Sequence, residues 1–112
     1  MRRAEFGEVV ATAEFVFQRA DGDKRAVQIR IGAPYAVSAL EWACPAEIVG
    51  YEPRYPDVSG ATSLQALCLA VGLVRSRVED FMAKGGRVID TEDDVECDAK
   101  DIAATFGVFG PA

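Results

Sequence analysis

Thr62-Ser63-Leu64-Gln65-Ala66-Leu67-Cys68-Leu69-Ala70-Val71-Gly72-Leu73-Val74, running on to Gly85-Gly86, decides how this chain folds. Leu64, Leu67, Cys68, Val71, Val74, Val78, Phe81 and Met82 recur at steps of three and four, which predicts one buried face of an α-helix. Thr62 followed by Gln65 has the spacing of a capping box, in which two side chains satisfy two orphaned backbone donors. Gly85-Gly86 supplies the left-handed residue that commonly closes a helix, and Asp80 with Lys84 is a well-oriented i,i+4 pair.

The first half of this helix has a second property. From Ala66 to Val74 no side chain is polar, and Leu69 and Leu73 stand off the main face; Arg75, Arg77, Glu79 and Asp80 then charge the outer side. A helix apolar on every side must be covered on every side. Either other elements of the chain cover Leu69 and Leu73, or a second subunit does. The apolar run is too short, and too soon followed by charge, to span a bilayer.

Upstream, Glu8 to Arg19 alternates Val9, Ala11, Ala13, Phe15 and Phe17 onto one face, as a half-buried strand does. Arg25 to Gly32 alternates again through Val27, Ile29 and Ile31, and Asp21-Gly22 between the two is hairpin chemistry. Pro34 ends the second strand, and Ala36 to Leu40 reads as loop. Glu41 to Tyr51 reads as a third strand with a bulge or edge at Pro45. Proline-spaced chain from Glu52 to Gly60 leads into the helix, and Arg87-Val88-Ile89 after it reads as a short strand. In the tail, Thr91 with Asp94 has the spacing to cap a short helix carrying Val95, Ala99, Ile102 and Phe106 on one face. The alternative is an acidic loop from which Phe106, Val108 and Phe109 dock. The expected fold is α+β: one domain over residues 1–112, an antiparallel sheet of three to four strands on one long helix, with a short C-terminal helix or loop.

Three stretches carry a resemblance: Ile31-Gly32-Ala33-Pro34, Trp42-Ala43-Cys44-Pro45 and Ser63-Leu64-Gln65-Ala66-Leu67-Cys68-Leu69-Ala70. They resemble a family of small bacterial proteins classed as a domain of unknown function, with a hairpin ending in Ile-Gly-x-Pro, a Trp-x-Cys strand, and a helix opening with Gln-Ala-Leu-x-Leu-Ala. The likeness runs from about Arg25 to Met82, and the long first strand and acidic tail depart from it. It implies the fold and carries no activity.

Composition narrows the chemistry. Half of the 112 residues are hydrophobic, enough for a core without disulfides. There is no histidine, so Ser–His and Cys–His nucleophile pairs and histidine metal sites are excluded. The three cysteines have no CxxC spacing, as free thiols of a reducing compartment would. Cys44 and Cys68 sit among apolar residues and are expected in the core, while Glu96 and Asp98 should raise the pKa of Cys97. The opening Met1 to Glu8 has acids where a signal peptide needs an apolar run, so the expected location is cytoplasmic.

The net charge is −6, and the segment from Asp90 onward accounts for it: Asp90, Glu92, Asp93, Asp94, Glu96, Asp98 and Asp101 face only Lys100. Such a tail repels phosphate, and no basic patch upstream compensates, so no nucleic acid is expected as a partner. The acidic run lacks the glycine and distal glutamate of an EF-hand loop, so it reads as a solvated face, and no metal or cofactor is expected. Glu41 and Glu47 are the carboxylates to watch for acid–base work, but nothing in the sequence pairs them.

These readings point to a non-catalytic protein that binds another protein, first of all itself as a homodimer, with Leu69 and Leu73 as interface candidates. The alternative is a small-molecule binder whose pocket lies between helix and sheet, walled by Trp42 and Tyr51. An enzyme using carboxylates and a divalent cation ranks third. No membrane partner is expected.

Overall fold

Two prolines divide the strands between two sheets. The computed structural model describes residues 5–107. In chain order the elements are β1 (Val9–Gln18), β2 (Lys24–Gly32), β3 (Tyr35–Ser38), β4 (Glu41–Cys44), β5 (Ala46–Val49), β6 (Val58–Gly60), α1 (Ser63–Ala83), β7 (Arg87–Asp90), β8 (Glu96–Cys97) and α2 (Ala99–Thr105). Strands β2 and β3, with Ala33-Pro34 between them, run antiparallel to β4 and β5, which are separated by Pro45. The four make one long hairpin bent at its middle. At the corner the Gly32 N–H donates to the Pro45 carbonyl at 2.8 Å, so the bend costs no backbone bond there.

Below the corner lies a five-stranded sheet of order β5-β2-β1-β7-β8, and above it a three-stranded sheet of order β3-β4-β6. All pairings are antiparallel. The expected single sheet of three to four strands is therefore corrected to two sheets, because each proline turns its strand into a different ladder. The Glu41-to-Tyr51 strand is two strands, and the segment read as loop from Ala36 to Leu40 contributes edge strand β3. The β1–β2 hairpin forms as expected. Gly22 takes the positive φ of its loop, and its N–H donates to the Arg19 carbonyl at 2.8 Å.

Helix α1 packs across both sheets, and its ends follow the sequence. The Thr62 Oγ1 accepts from the Gln65 N–H at 3.0 Å, while the Gln65 side chain reaches past Thr62 to the Ala61 N–H at 2.6 Å. At the other end the Gly86 N–H donates to Phe81 and the Gly85 N–H to Met82, a Schellman closure with Gly85 at positive φ.

The buried face of α1 differs from the expected one. Ala66, Ala70, Val74, Val78 and Phe81 face the core, whereas Leu64 and Cys68 are exposed and Leu67, Val71 and Met82 are half-buried. The helix is turned by roughly 60° of arc toward its alanines. The reason is close approach: a Cβ on Gly60 of β6 would lie 2.5 Å from the Ala66 nitrogen. Only small side chains fit along that contact, so the larger leucines are displaced to the flanks. Around the helix the core comprises Phe15, Phe17, Val27, Ile29, Ile31, Ile48, Val88 and, from α2, Ile102.

The tail forms a helix, shorter and later than read. Asp98, not Thr91, is its N-cap: the Asp98 side chain accepts from the Asp101 N–H at 2.8 Å and the Asp101 side chain from the Asp98 N–H at 3.0 Å. Ile102 is its buried anchor, Phe106 packs half-buried, and Val95 is exposed before it in the β7–β8 connection. Val108 and Phe109, read as docking residues, lie outside the described residues, as do Met1 to Ala4.

Candidate functional site

The outward side of α1 is the first candidate. Leu64 is 68% exposed and Leu69 48%, with exposed Cys68 and Gly72 beside them, while Leu73 is half-buried. Of the two interface candidates, Leu69 thus stands in solvent and Leu73 is partly covered by the chain's own fold. Cys68, Gly72 and Ser76, four apart, make a low ridge that Leu64, four before Cys68, heads and Leu69 flanks. Gly72 has nothing within 4 Å of where a Cβ would stand. No charged side chain occurs between Ser63 and Val74.

A cleft of about 650 Å³ is the second candidate. Thr12 to Phe15 of β1 form one side, the Asp90–Cys97 connection another, and Asp101, Ala104 and Thr105 of α2 the third. The carboxylates of Glu14, Asp90, Glu92, Asp93, Glu96 and Asp101 line it, and among the described residues no lysine or arginine does. Several are committed at one oxygen: Asp90 accepts from the Glu92 N–H at 2.7 Å, and Asp93 from the Val95 N–H at 3.2 Å. Glu96 lies 3.6 Å from exposed Arg87. Among the described residues no group of three His, Cys, Asp or Glu side chains converges as a metal-ligand set. Burial, followed by Asp101, Asp90 and Asp93, pushes the Cys97 thiol up; the neighbours expected to do so, Glu96 and Asp98, are not its main perturbers.

A smaller apolar cleft of about 340 Å³ lies between α1, α2 and the large sheet, bounded by Ala11, Ala13, Ile29, Ile31, Val71 and Phe106. A pocket between helix and sheet therefore exists, but neither cleft is walled by Trp42 or Tyr51. Trp42 is half-buried on β4, opposite Gly60 of β6. Tyr51 packs edge-on against Phe17 at 5.3 Å and Phe81 at 5.4 Å, and those two rings stack at 4.4 Å. Tyr51 belongs to an aromatic cluster of the core edge.

Several other charged groups hold the fold together. Glu41 and Glu47 lie in different sheets, Glu41 accepting from Ser59 at 2.8 Å and Glu47 from Arg30 at 2.7 Å, so they form no acid–base pair. Buried Asp57 accepts from the Tyr35 hydroxyl at 2.5 Å and from Arg54 at 2.9 Å, joining edge strand β3 to the approach to β6. Arg77 forks onto both oxygens of Glu52 at 2.9 and 2.8 Å, and Tyr55 donates to the same carboxylate at 2.6 Å. The Arg77 hydrogen bonds chiefly hold Glu52 below its ordinary pKa. Cys44 is buried and donates to the Gly32 carbonyl at 3.2 Å, and burial, then Asp57, pushes its thiol up to about 11. Cys68, expected beside it in the core, is exposed because of the helix's rotation.

A family model described as a domain of unknown function, DUF6968, matches residues 13–97, from the middle of β1 through β8. The chain belongs to the DUF6968 family. The match reaches beyond the Arg25-to-Met82 likeness at both ends and takes in all of α1, but stops before α2. No curated protein and no solved structure matches the chain. Among the described residues, no helix is long and apolar enough to cross a membrane.

Proposed function

We propose that this DUF6968 chain is a non-catalytic protein-interaction domain that pairs with a second copy of itself through the outward side of α1. One observation carries the reading. Over its first three turns the helix exposes Leu64, Cys68, Leu69 and Gly72 with no charge among them, and among the described residues nothing lies within 4 Å of where a Gly72 side chain would stand. A glycine in mid-helix costs about 0.5–1 kcal/mol relative to alanine. A low ridge of Cys68, Gly72 and Ser76 lets a second helix approach closely, with Leu64 packing at the end of the ridge and Leu69 beside it. Expected partners are therefore proteins, and first a copy of this chain.

Native mass spectrometry of the full chain tests this. The wild type should fly as a dimer, and Leu64→Asp with Leu69→Asp should give a folded monomer with an unchanged far-UV circular dichroism spectrum. A wild-type monomer at about 100 µM, well above the Kd of a specific homodimer, would overturn the reading. The apolar cleft favours a second reading, a binder of a small apolar molecule, which would show in the same spectrum as a monomer carrying added mass.

A further inference from the structure

The large sheet has a notch. Strand β1 pairs with β2 from Val9 to Gln18, but on its other side β7 pairs only with Phe15 to Gln18. The register ends at Phe15 opposite Asp90, where the chain turns away into the Thr91–Val95 connection. Among the described residues, no strand lies beside Val9 to Glu14 on that side. In an antiparallel ladder alternate residues point their N–H and C=O to opposite edges, so this edge presents a row of backbone donors and acceptors. Val10, Ala11, Thr12 and Glu14 are exposed along it.

The notch overlaps the 650 Å³ cleft from Thr12 to Glu14, so that part of the edge opens into a walled space and not onto a flat surface. Natural sheets blunt a bare edge with lysine, proline, a covering element or a bulge. Here there is one irregularity, a register shift between Val9 and Ala11, and no proline or lysine from Val9 to Glu14. Among the described residues the charged groups of the walls are all carboxylates; Glu96 is paired with exposed Arg87 at 3.6 Å, while the hydrogen bonds to Asp90 and Asp93 come from neutral backbone N–H groups and leave their charge in place.

We propose that the cleft takes an extended, lysine- or arginine-bearing segment of a partner protein, added as a strand along the open edge of β1 in line with β7. Backbone bonds to alternate residues of Val9 to Glu14 hold the segment, and its cations meet Glu14, Glu92 and Asp93. This is strand addition, in which the main chain gives affinity and side chains at every second position give selectivity. The surface uses residues distinct from the α1 face, so it stands or falls independently of self-association.

The test uses the ¹⁵N-labelled full chain titrated with a capped peptide of alternating lysine and valine. Chemical shifts should move, and amide exchange should slow, at alternate residues between Val9 and Glu14. Affinity should fall about tenfold for a peptide N-methylated at alternate amides, and by a similar factor in the double variant Glu92→Gln, Asp93→Asn, whose exposed positions leave the fold intact. A glutamate–valine peptide should not bind. Shifts spread over the acidic residues without slowed exchange at β1, or equal affinity for the N-methylated peptide, would mean charge attraction alone and overturn the proposal. So would the absence of any shift at about 1 mM peptide.

Discussion

Replacing Gly60 by alanine tests the contact on which the helix orientation rests. The new Cβ would stand 2.5 Å from the Ala66 nitrogen, 2.9 Å from its Cα and 3.0 Å from the Gln65 carbonyl carbon. All three are backbone atoms, so no side chain can swing aside. Ordinary contact begins at 3.4 Å, so β6 and the first turn of α1 must part by about 0.9 Å, the difference between 3.4 and 2.5. Overpacking of this kind costs roughly 1–3 kcal/mol. A gap of that width also forfeits a quarter to a half of each dispersion contact around Ala66 and Ala70, both fully buried. The expected loss is therefore at the upper end, about 3 kcal/mol, or roughly 13 °C in Tm for a domain of this size. The single tryptophan, Trp42, is Gly60's partner across β4 and β6, so urea unfolding followed by its fluorescence reads the site directly. Gly72→Ala is the matched control. Within the chain its new Cβ meets nothing within 4 Å, so in the Leu64→Asp, Leu69→Asp monomer, where the proposed interface contributes nothing, it should raise stability by about 0.5–1 kcal/mol. If Gly60→Ala left the urea midpoint unchanged at constant m, the close seating of α1 on β6 would be refuted, and with it the reason for the helix's rotation.

Two further outcomes follow from the buried and paired groups. Glu52 has its pKa lowered from 4.5, so the stability it contributes is present above about pH 4.5 and is lost as pH falls through the lower folded value. Glu52→Gln should flatten the acid limb of a plot of urea midpoint against pH, and an unchanged slope would mean that the Arg77 fork adds no pH-dependent stability. In the folded Leu64→Asp, Leu69→Asp monomer, where no second copy covers the α1 face, a thiol reagent should label Cys68 first, Cys97 more slowly and Cys44 only on unfolding, since Cys68 is exposed while burial raises the other two. Mapping the labelled peptides over time checks the order, and native labelling of Cys44 at the rate of Cys68 would contradict the packing at the strand corner.

Local signals in the sequence were enough for the elements that close on themselves. Asp21-Gly22 marked the hairpin, Thr62 and Gly85-Gly86 the limits of α1, and Arg87-Val88-Ile89 a strand. What escaped depends on distant partners. Pro45 announces a break, but which ladder Ala46–Val49 joins is decided by β2, whose Gln28 to Ile31 pair with it. The short edge strand at Tyr35–Ser38 is fixed by its pairing with β4, not by its own four residues. The helix face was misread for a different reason. Ranking residues by hydrophobicity favours Leu64 and Cys68, whereas the close approach at Gly60 favours the Ala66-Ala70-Val74-Val78 ridge. For the candidate sites, all-round apolarity drew attention to the first half of α1, and Leu69 is exposed there. The notch beside β1 left no trace in the sequence, because it exists only through where β7 stops.

The two proposed surfaces differ in their relation to the family. The matched segment, 13–97, contains all of α1, so the face of Leu64, Cys68, Leu69 and Gly72 is built wholly from family sequence. The acidic cleft is composite. Glu14 and Asp90 to Cys97 lie within the match, while Thr12, Asp101, Ala104 and Thr105 lie outside it. Helix α2 has only seven residues, too few to hold a helix in water without tertiary support, and its buried anchor is Ile102. The third wall of the cleft thus depends on how firmly that one side chain is seated. A partner read through the cleft is selected in part by residues the family model does not specify. Self-association through α1 draws only on residues that it does.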